Sequence, residues 1–154
     1  ALGGVYKLAA EEVNGELVPR IKISENPAKI TNPGKKKVLR IYSREDRHAL
    51  ADLIALHDEV YDASEPLTIF DPENTWKRMT LTDYTLRELL VPIFRGGEQV
   101  YRSPDLHCIA AYARDELDTF WSEYKRLHRP QRYKVDLSQR LYDLKQSLLA
   151  RHGH

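Results

Sequence analysis

The stretch RIKISENPAKITNPGKKKVLRIYSR, residues 20–44, decides how this chain is organised. It holds eight basic residues and one acid, a local charge of +7, in a chain of 154 residues whose net charge is only +1. Two turn signals, Asn26-Pro27 and Asn32-Pro33-Gly34, precede a strand pattern over 37–43. A loop fixed by Pro and Gly holds lysines and backbone N–H groups in place before an anion arrives, which suits a phosphate-bearing partner. The alternative is that this basic loop, residues 24–37, is simply solvated.

Composition places the chain among single-domain globular proteins. With 154 residues, 42% of them apolar, it is long enough to bury a core. No apolar run approaches the roughly 18 residues of a membrane span, and the N-terminus lacks the order of a signal peptide. The single cysteine, Cys108, fits a reducing compartment, so we expect a cytoplasmic protein. The six histidines and Cys108 show no metal-ligand spacing, and no metal site is predicted.

Alternating side chains and turn residues predict a series of antiparallel hairpins. They lie at 5–23 around Asn14-Gly15, at 67–81, and at 89–101. Residues 44–60 fit either a helix or a strand Leu50–Leu56 that returns to 37–43, and we favour the hairpin. The segment 82–88 is expected to form one turn of helix.

The C-terminal third predicts two α-helices. Ser103 and Pro104 suit the N-cap and first position of a helix that runs to residue 127. Asp136 with Gln139 has the form of a capping box, and a leucine stripe follows it as far as Gly153. We expect these helices to pack on the strands as an antiparallel pair, with the second stripe as an oligomer seam being the alternative. The fold class is therefore α+β, antiparallel β-hairpins followed by two C-terminal α-helices.

The sequence contains no recognisable catalytic constellation. His48, His57 and His107 lack a partner that spacing identifies, and no serine has the context of a nucleophile elbow. On its residues alone, the chain is an α+β domain with a basic loop suited to phosphate.

Six ordered runs carry a resemblance that covers essentially the whole chain. They are LGGVYKL (2–8), PRIKISEN (19–26), KITNPGKK (29–36), FDPENTWK (70–77), RELLVPIF (87–94) and VDLSQ (135–139). In these runs the chain strongly resembles the C-terminal part of bacterial nicotinate phosphoribosyltransferases. It opens without a methionine, its only one being Met79, so we expect a C-terminal piece of such an enzyme that is inactive alone.

The resemblance implies the chemistry of NAD synthesis and salvage. Such an enzyme joins nicotinate to phosphoribosyl pyrophosphate, with ATP hydrolysis and with Mg²⁺ on the phosphates, and gives nicotinate mononucleotide and pyrophosphate. It also implies a type II phosphoribosyltransferase architecture and a homodimer. Residues 1–60 would complete the parent's β-sandwich domain and 61–154 would form a C-terminal α+β extension. The barrel, the nicotinate pocket and the phosphorylated histidine would belong to the missing N-terminal part.

With that resemblance, the basic loop becomes the candidate site. We expect phosphate contacts from four lysines, with two further residues shaping the loop: Lys7, Lys22, Lys35 and Lys36, and Asn32 and Gly34. Cations there would stabilise charge on the departing pyrophosphate. No catalytic residue is expected in this chain. The rival interpretation is a non-catalytic module that binds an anionic partner such as RNA, but the stretch 20–44 offers only Tyr42 for base stacking. Strands left without neighbours predict self-association.

Overall fold

The computed structural model describes residues 3–152. In chain order the strands are β1 (Ala10–Val13), β2 (Glu16–Pro19), β3 (Lys36–Ser43), β4 (Ala49–Leu56), β5 (Leu67–Phe70), β6 (Arg78–Leu81), β7 (Tyr84–Glu88), β8 (Phe94–Arg95), β9 (Glu98–Gln99) and β10 (Val135–Leu137). The α-helices are α1 (Leu106–Asp118), α2 (Ser122–Lys125) and α3 (Gln139–His152), and a short 3-10 helix covers Pro27–Lys29.

A four-stranded sheet in the order β10-β4-β3-β7 forms the centre of the fold. β3 pairs antiparallel with both β4 and β7, whereas β10 pairs parallel with β4. Alternate side chains of β3 and β4 point to one face, and the β5–β6 hairpin covers that face through Ile69. The resulting core consists of Leu39, Ile41, Ala51, Leu53, Ile69 and Tyr84. This one sheet contains strands from before residue 60 (β3 and β4) and after it (β7 and β10). The division of the chain into 1–60 and 61–154 stays a prediction.

The predicted hairpins are confirmed as antiparallel pairs, with shorter strands in two of them. β3–β4, β5–β6 and β8–β9 form as expected, the last with only two residues a strand. β1 and β2 pair across Asn14-Gly15, whose φ values of 53° and 83° suit an Asn-Gly turn. The expectation that the first strand begins at residue 5 is wrong, because Val5 and Tyr6 lie in an irregular exposed segment and β1 begins only at Ala10.

Two strands lie where none was expected. The segment 82–88 was predicted as a turn of helix, yet it forms β7 at the edge of the sheet. Tyr84 is fully buried there, and its hydroxyl donates to the carbonyls of Asp62 and Glu65. The capping box at Asp136 is also wrong, because Asp136 lies in β10 and is buried. Ser138 caps α3 instead, since its Oγ accepts the N–H of Leu141 at 3.1 Å.

The C-terminal helices differ from the predicted antiparallel pair. α1 begins after Asp105, whose carboxylate accepts the N–H of Cys108, and not at Ser103. It ends at Asp118, and the N–H and hydroxyl of its C-cap Thr119 both donate to the carbonyl of Glu116. The predicted long helix is therefore two helices, α1 and α2. α3 packs on β4 and buries Leu141 and Leu148, whereas α1 buries none of its own residues and makes at most marginal contact with α3. The predicted helix end at Gly153 lies outside the described residues.

A polar cluster attaches α1 to the sheet in place of apolar packing. Arg40 on β3 forms a bidentate pair with Asp52 on β4, at 2.8 and 3.0 Å, and lies over the ring of Phe120. Glu116 of α1 accepts from Arg40 and from Arg87 on β7. The hydrogen bond from Arg87 and the nearby positive charges hold the pKa of Glu116 below its usual value. One carboxylate thus joins the helix to two strands.

We predict that Glu116→Gln reduces the dependence of stability on acid pH. A carboxylate with a depressed folded-state pKa stabilises the fold above its unfolded pKa, about 4.3, and loses that contribution as pH falls through the lower folded value. The substitution should lower the free energy of unfolding at pH 7 by about 1–3 kcal/mol and flatten its decline below about pH 4.3.

Urea unfolding between pH 2.5 and 7 measures both effects, with Glu45→Gln as the matched control on an exposed turn. In the control, the free energy of unfolding should fall with decreasing pH as steeply as in the unchanged protein. An equally steep decline in Glu116→Gln would show that Glu116 does not link α1 to the sheet.

Candidate phosphate-binding site

Backbone hydrogen bonds join the β1–β2 hairpin to the basic loop. The carbonyl of Ala9 accepts the N–H of Arg20 at 2.8 Å and the N–H of Gly34 at 2.6 Å. The Lys7 ammonium donates to the carbonyl of Lys29 at 2.6 Å, and the N–H of Thr31 donates to the carbonyl of Lys22 at 3.3 Å. The segments that carry the four predicted lysines therefore meet in one region, although Lys7 and Lys22 lie outside the loop.

The basic loop is buried around Pro33. Thr31, Pro33 and Gly34 are buried, and Gly34 has a φ of 83°, which disfavours any residue with a Cβ. A Cβ at Gly34 would lie 2.9 Å from Leu56 Cδ2 and 3.5 Å from Leu144 Cδ2. The glycine allows β4 and α3 to close on the loop. A freely solvated loop is therefore not what the structure shows for residues 31–34.

Asn32 contacts a residue that the sequence did not indicate. The ammonium of Lys145, on α3, donates to Asn32 Oδ1 at 2.9 Å, across 113 positions of sequence. Burial lowers the pKa of Lys145. Nothing local to Lys145 marks it as a partner of the loop, because the contact depends on how α3 packs on β4. The predicted role of Asn32 as a loop-shaping residue thus gains a specific partner.

The lysines of the loop differ in how their ammonium groups are used. Lys22 and Lys35 are exposed, and within residues 3–152 their ammonium groups have no hydrogen-bond or ion-pair partner. Lys36 is half-buried and donates to the carbonyl of Gly34 at 2.6 Å, and burial lowers its pKa. Lys37 donates to the carbonyl of Glu59. The lysines therefore fall into two groups: exposed ones, and ones whose ammonium groups donate to backbone carbonyls.

This arrangement groups cations that suit an anion such as phosphate, and phosphate binding stays a prediction. Its cations approach neutral carbonyls and an amide, so their charge is not cancelled by carboxylates. Among residues 3–152, no group of three or more His, Cys, Asp or Glu side chains is placed to hold a metal ion. Likewise, no helix in the described part of the chain is long and apolar enough to cross a bilayer.

The fold corresponds to part of a phosphoribosyltransferase. A chain in the crystal structure of human nicotinic acid phosphoribosyltransferase superposes with a TM-score of 0.69 at 28% sequence identity, over 75% of this chain and 23% of that one. The sequence is also 42% identical over 139 residues to nicotinate phosphoribosyltransferase of Bacillus subtilis, covering 90% of this chain and 28% of the relative. The human enzyme is 35% identical over 151 residues, covering 97% and 27%.

Residues 35–145 match the family described as nicotinate phosphoribosyltransferase C-terminal domain, and the chain belongs to that family. The resemblance seen in the sequence is thereby confirmed. The chain spans about a quarter of the length of the relatives named above.

We predict that Gly34→Ala destabilises the fold more than Gly15→Ala. Both glycines have a φ of 83°, so each substitution incurs the same left-handed backbone strain, about 1–2 kcal/mol. A methyl group at Gly15 would meet open space, whereas one at Gly34 would press on Leu56. Overpacking adds about 1–3 kcal/mol, and the cost here should lie at the low end because Leu56 Cδ2 is the end of a flexible side chain. Urea unfolding of the two variants isolates this difference, and equal losses of stability would mean that the loop is not clamped at Gly34.

Proposed function

We propose that this chain is the C-terminal domain of an enzyme that joins nicotinate to phosphoribosyl pyrophosphate. The products would be nicotinate mononucleotide and pyrophosphate, and ATP hydrolysis would accompany the reaction, which serves NAD synthesis and salvage. The family match over residues 35–145 carries this proposal. The 42% identity to the Bacillus subtilis enzyme over 90% of the chain supports it.

We assign to this domain the binding of the substrate's phosphate groups. Lys7, Lys22, Lys35 and Lys36 would contact the phosphates of phosphoribosyl pyrophosphate, and Asn32 and Gly34 would fix the loop that carries two of them. A platform fixed before binding loses less conformational entropy when the anion arrives, and its cations stabilise negative charge as pyrophosphate leaves. Support comes from the hydrogen bonds that hold the loop and from the exposed ammonium groups of Lys22 and Lys35.

We assign the remaining steps of the reaction to the part of the enzyme that this chain does not cover. The nicotinate pocket and the groups that act on ATP would lie there, so that the 154-residue chain alone would be inactive. Mg²⁺ would be carried by the substrate phosphates, with its remaining ligands supplied by water and by that other portion. We also propose that the intact enzyme is a cytoplasmic homodimer, on the strength of the family resemblance.

We expect Lys35→Ala, introduced into the intact enzyme, to raise the KM for phosphoribosyl pyrophosphate by about 10-fold or more. Loss of a charge-assisted hydrogen bond to phosphate removes about 1.5–3 kcal/mol of binding. Lys35 is the sharper test of the two adjacent lysines, because its ammonium holds no backbone carbonyl and its removal should leave the loop intact. Lys36→Ala should raise the same KM and also lower stability, because Lys36 bonds to Gly34.

Steady-state release of pyrophosphate with nicotinate, ATP and varied phosphoribosyl pyrophosphate gives these constants. Lys125→Ala, a lysine on α2, is the control and should leave KM unchanged. No nicotinate-dependent release by the intact enzyme would refute the function itself. An unchanged KM in both Lys35→Ala and Lys36→Ala would keep the function but remove these lysines from the site.

A further inference from the structure

Helix α3 contacts the basic loop through two consecutive residues. The ammonium of Lys145 donates to Asn32 Oδ1 at 2.9 Å, and Leu144 Cδ2 lies 3.5 Å from the place that a Cβ on Gly34 would take. The same helix packs on β4 of the central sheet. The loop is therefore held at residues 32 and 34 by a helix that lies 113 positions further along the chain at Lys145.

A lysine is a costly residue at this position of α3. Lys145 is half-buried, and the cleft that it lines also contains Leu137 and Leu149. Loss of solvent disfavours an ammonium group unless hydrogen bonds replace the water. Glu73 is the nearby acid, but among residues 3–152 the hydrogen-bond acceptor of the Lys145 ammonium is Asn32 alone. The bond to Asn32 is thus what a lysine supplies here and a methionine would not.

This bond determines which way the side-chain amide of Asn32 faces. Such an amide has one accepting oxygen and one NH₂ group with two donors, and an ammonium can only donate. Lys145 therefore selects the oxygen of Asn32 and leaves the nitrogen to donate elsewhere. Within residues 3–152, Asn32 Nδ2 has no hydrogen-bond acceptor, and the atom is not fully buried. Two N–H donors are thus oriented and without a partner in the described part of the chain.

We propose that Lys145 is a positioning residue for the phosphate site, where it orients Asn32 so that Nδ2 donates to a phosphate oxygen. This inference rests on the proposed phosphate-binding role of the basic loop, and it changes Asn32 from a loop-shaping residue into a ligand group. The exposed ammonium of Lys35 supplies charge but is flexible. An amide held by Lys145 supplies directed hydrogen bonds that need no rearrangement when the anion arrives.

Asn32→Asp in the intact enzyme tests the phosphate contact. An aspartate keeps an oxygen for Lys145 but lacks N–H donors and repels an anion. The KM for phosphoribosyl pyrophosphate should therefore rise about tenfold or more, while the KM for nicotinate stays the same. Urea unfolding of the 154-residue chain with this substitution should show no loss of stability, because the bond to Lys145 remains. An unchanged KM would mean that Asn32 only shapes the loop, and it would overturn the proposal.

Variants of Lys145 test whether it acts through Asn32. Lys145→Met keeps the aliphatic stem without the donor and should raise the same KM about three- to tenfold at unchanged kcat, whereas Lys145→Arg still donates and should keep KM near that of the unchanged enzyme. In an Asn32→Ala background, Lys145→Met should raise KM no further, because the effects of residues that act through one another are not additive. Effects that multiply would show that Lys145 does not position Asn32.

Lys125→Met is the matched control on α2 and should leave the KM for phosphoribosyl pyrophosphate unchanged. If Lys145→Met fails to fold, the result for Asn32→Asp decides the proposal.

A binding measurement separates this inference from the proposed reaction. Inorganic pyrophosphate is titrated to about 10 mM into the ¹⁵N-labelled 154-residue chain, and the side-chain amide signals of Asn32 are followed. We expect a saturable shift that acetate at equal ionic strength does not give, and several-fold weaker binding in Lys145→Met. This shift together with an inactive intact enzyme would refute the reaction and keep the site. No saturable shift at Asn32 would overturn the inference even if the intact enzyme is active.

Discussion

The absence of a side chain at Gly34 is the constraint on which this fold depends. The residue has a positive φ and its N–H donates to Ala9. Leu56 occupies the space that a Cβ would need, and Leu144 would be in van der Waals contact with that Cβ. Three parts of the chain therefore converge on one backbone position, namely the N-terminal hairpin, the central sheet and the last helix. The lysine-rich loop is thereby held as part of the packed structure.

The sequence predicted what local interactions decide. An Asn-Gly pair and alternating residues specify a hairpin within about ten positions, so β1–β2, β3–β4 and β5–β6 were anticipated. Non-local pairing was not. β7 and β10 acquire strand structure from β3 and β4, which lie more than 40 residues away in sequence, and the carbonyl of Thr119, just after α1, accepts the N–H of the distant Ala49 at 2.8 Å. The pairing of Lys145 with Asn32 is the same kind of miss, because a lysine in a helix carries no local sign of its partner.

The arrangement of charge connects the fold with the proposed function. Cations deep in the sheet are neutralised by carboxylates, as in the bidentate pair of Arg40 with Asp52, and these interactions join strands and helix. Cations of the basic loop contact neutral groups or none, so their positive field remains available to an anion. The sequence predicted where that field lies. It could not distinguish lysines that hold the loop from those that face solvent, because both occur in one run of identical residues.

The proposed role of the basic loop requires it to be a fixed platform. Amide hydrogen exchange at Gly34 tests this most directly, because its N–H is bonded to Ala9 inside the packed region. If the loop is such a platform, Gly34 exchanges with an opening free energy close to that of Ile41 in the central strand, since both amides open only when the core does. Exchange of Gly34 as fast as that of Gly97, which lies on an exposed turn, would contradict it.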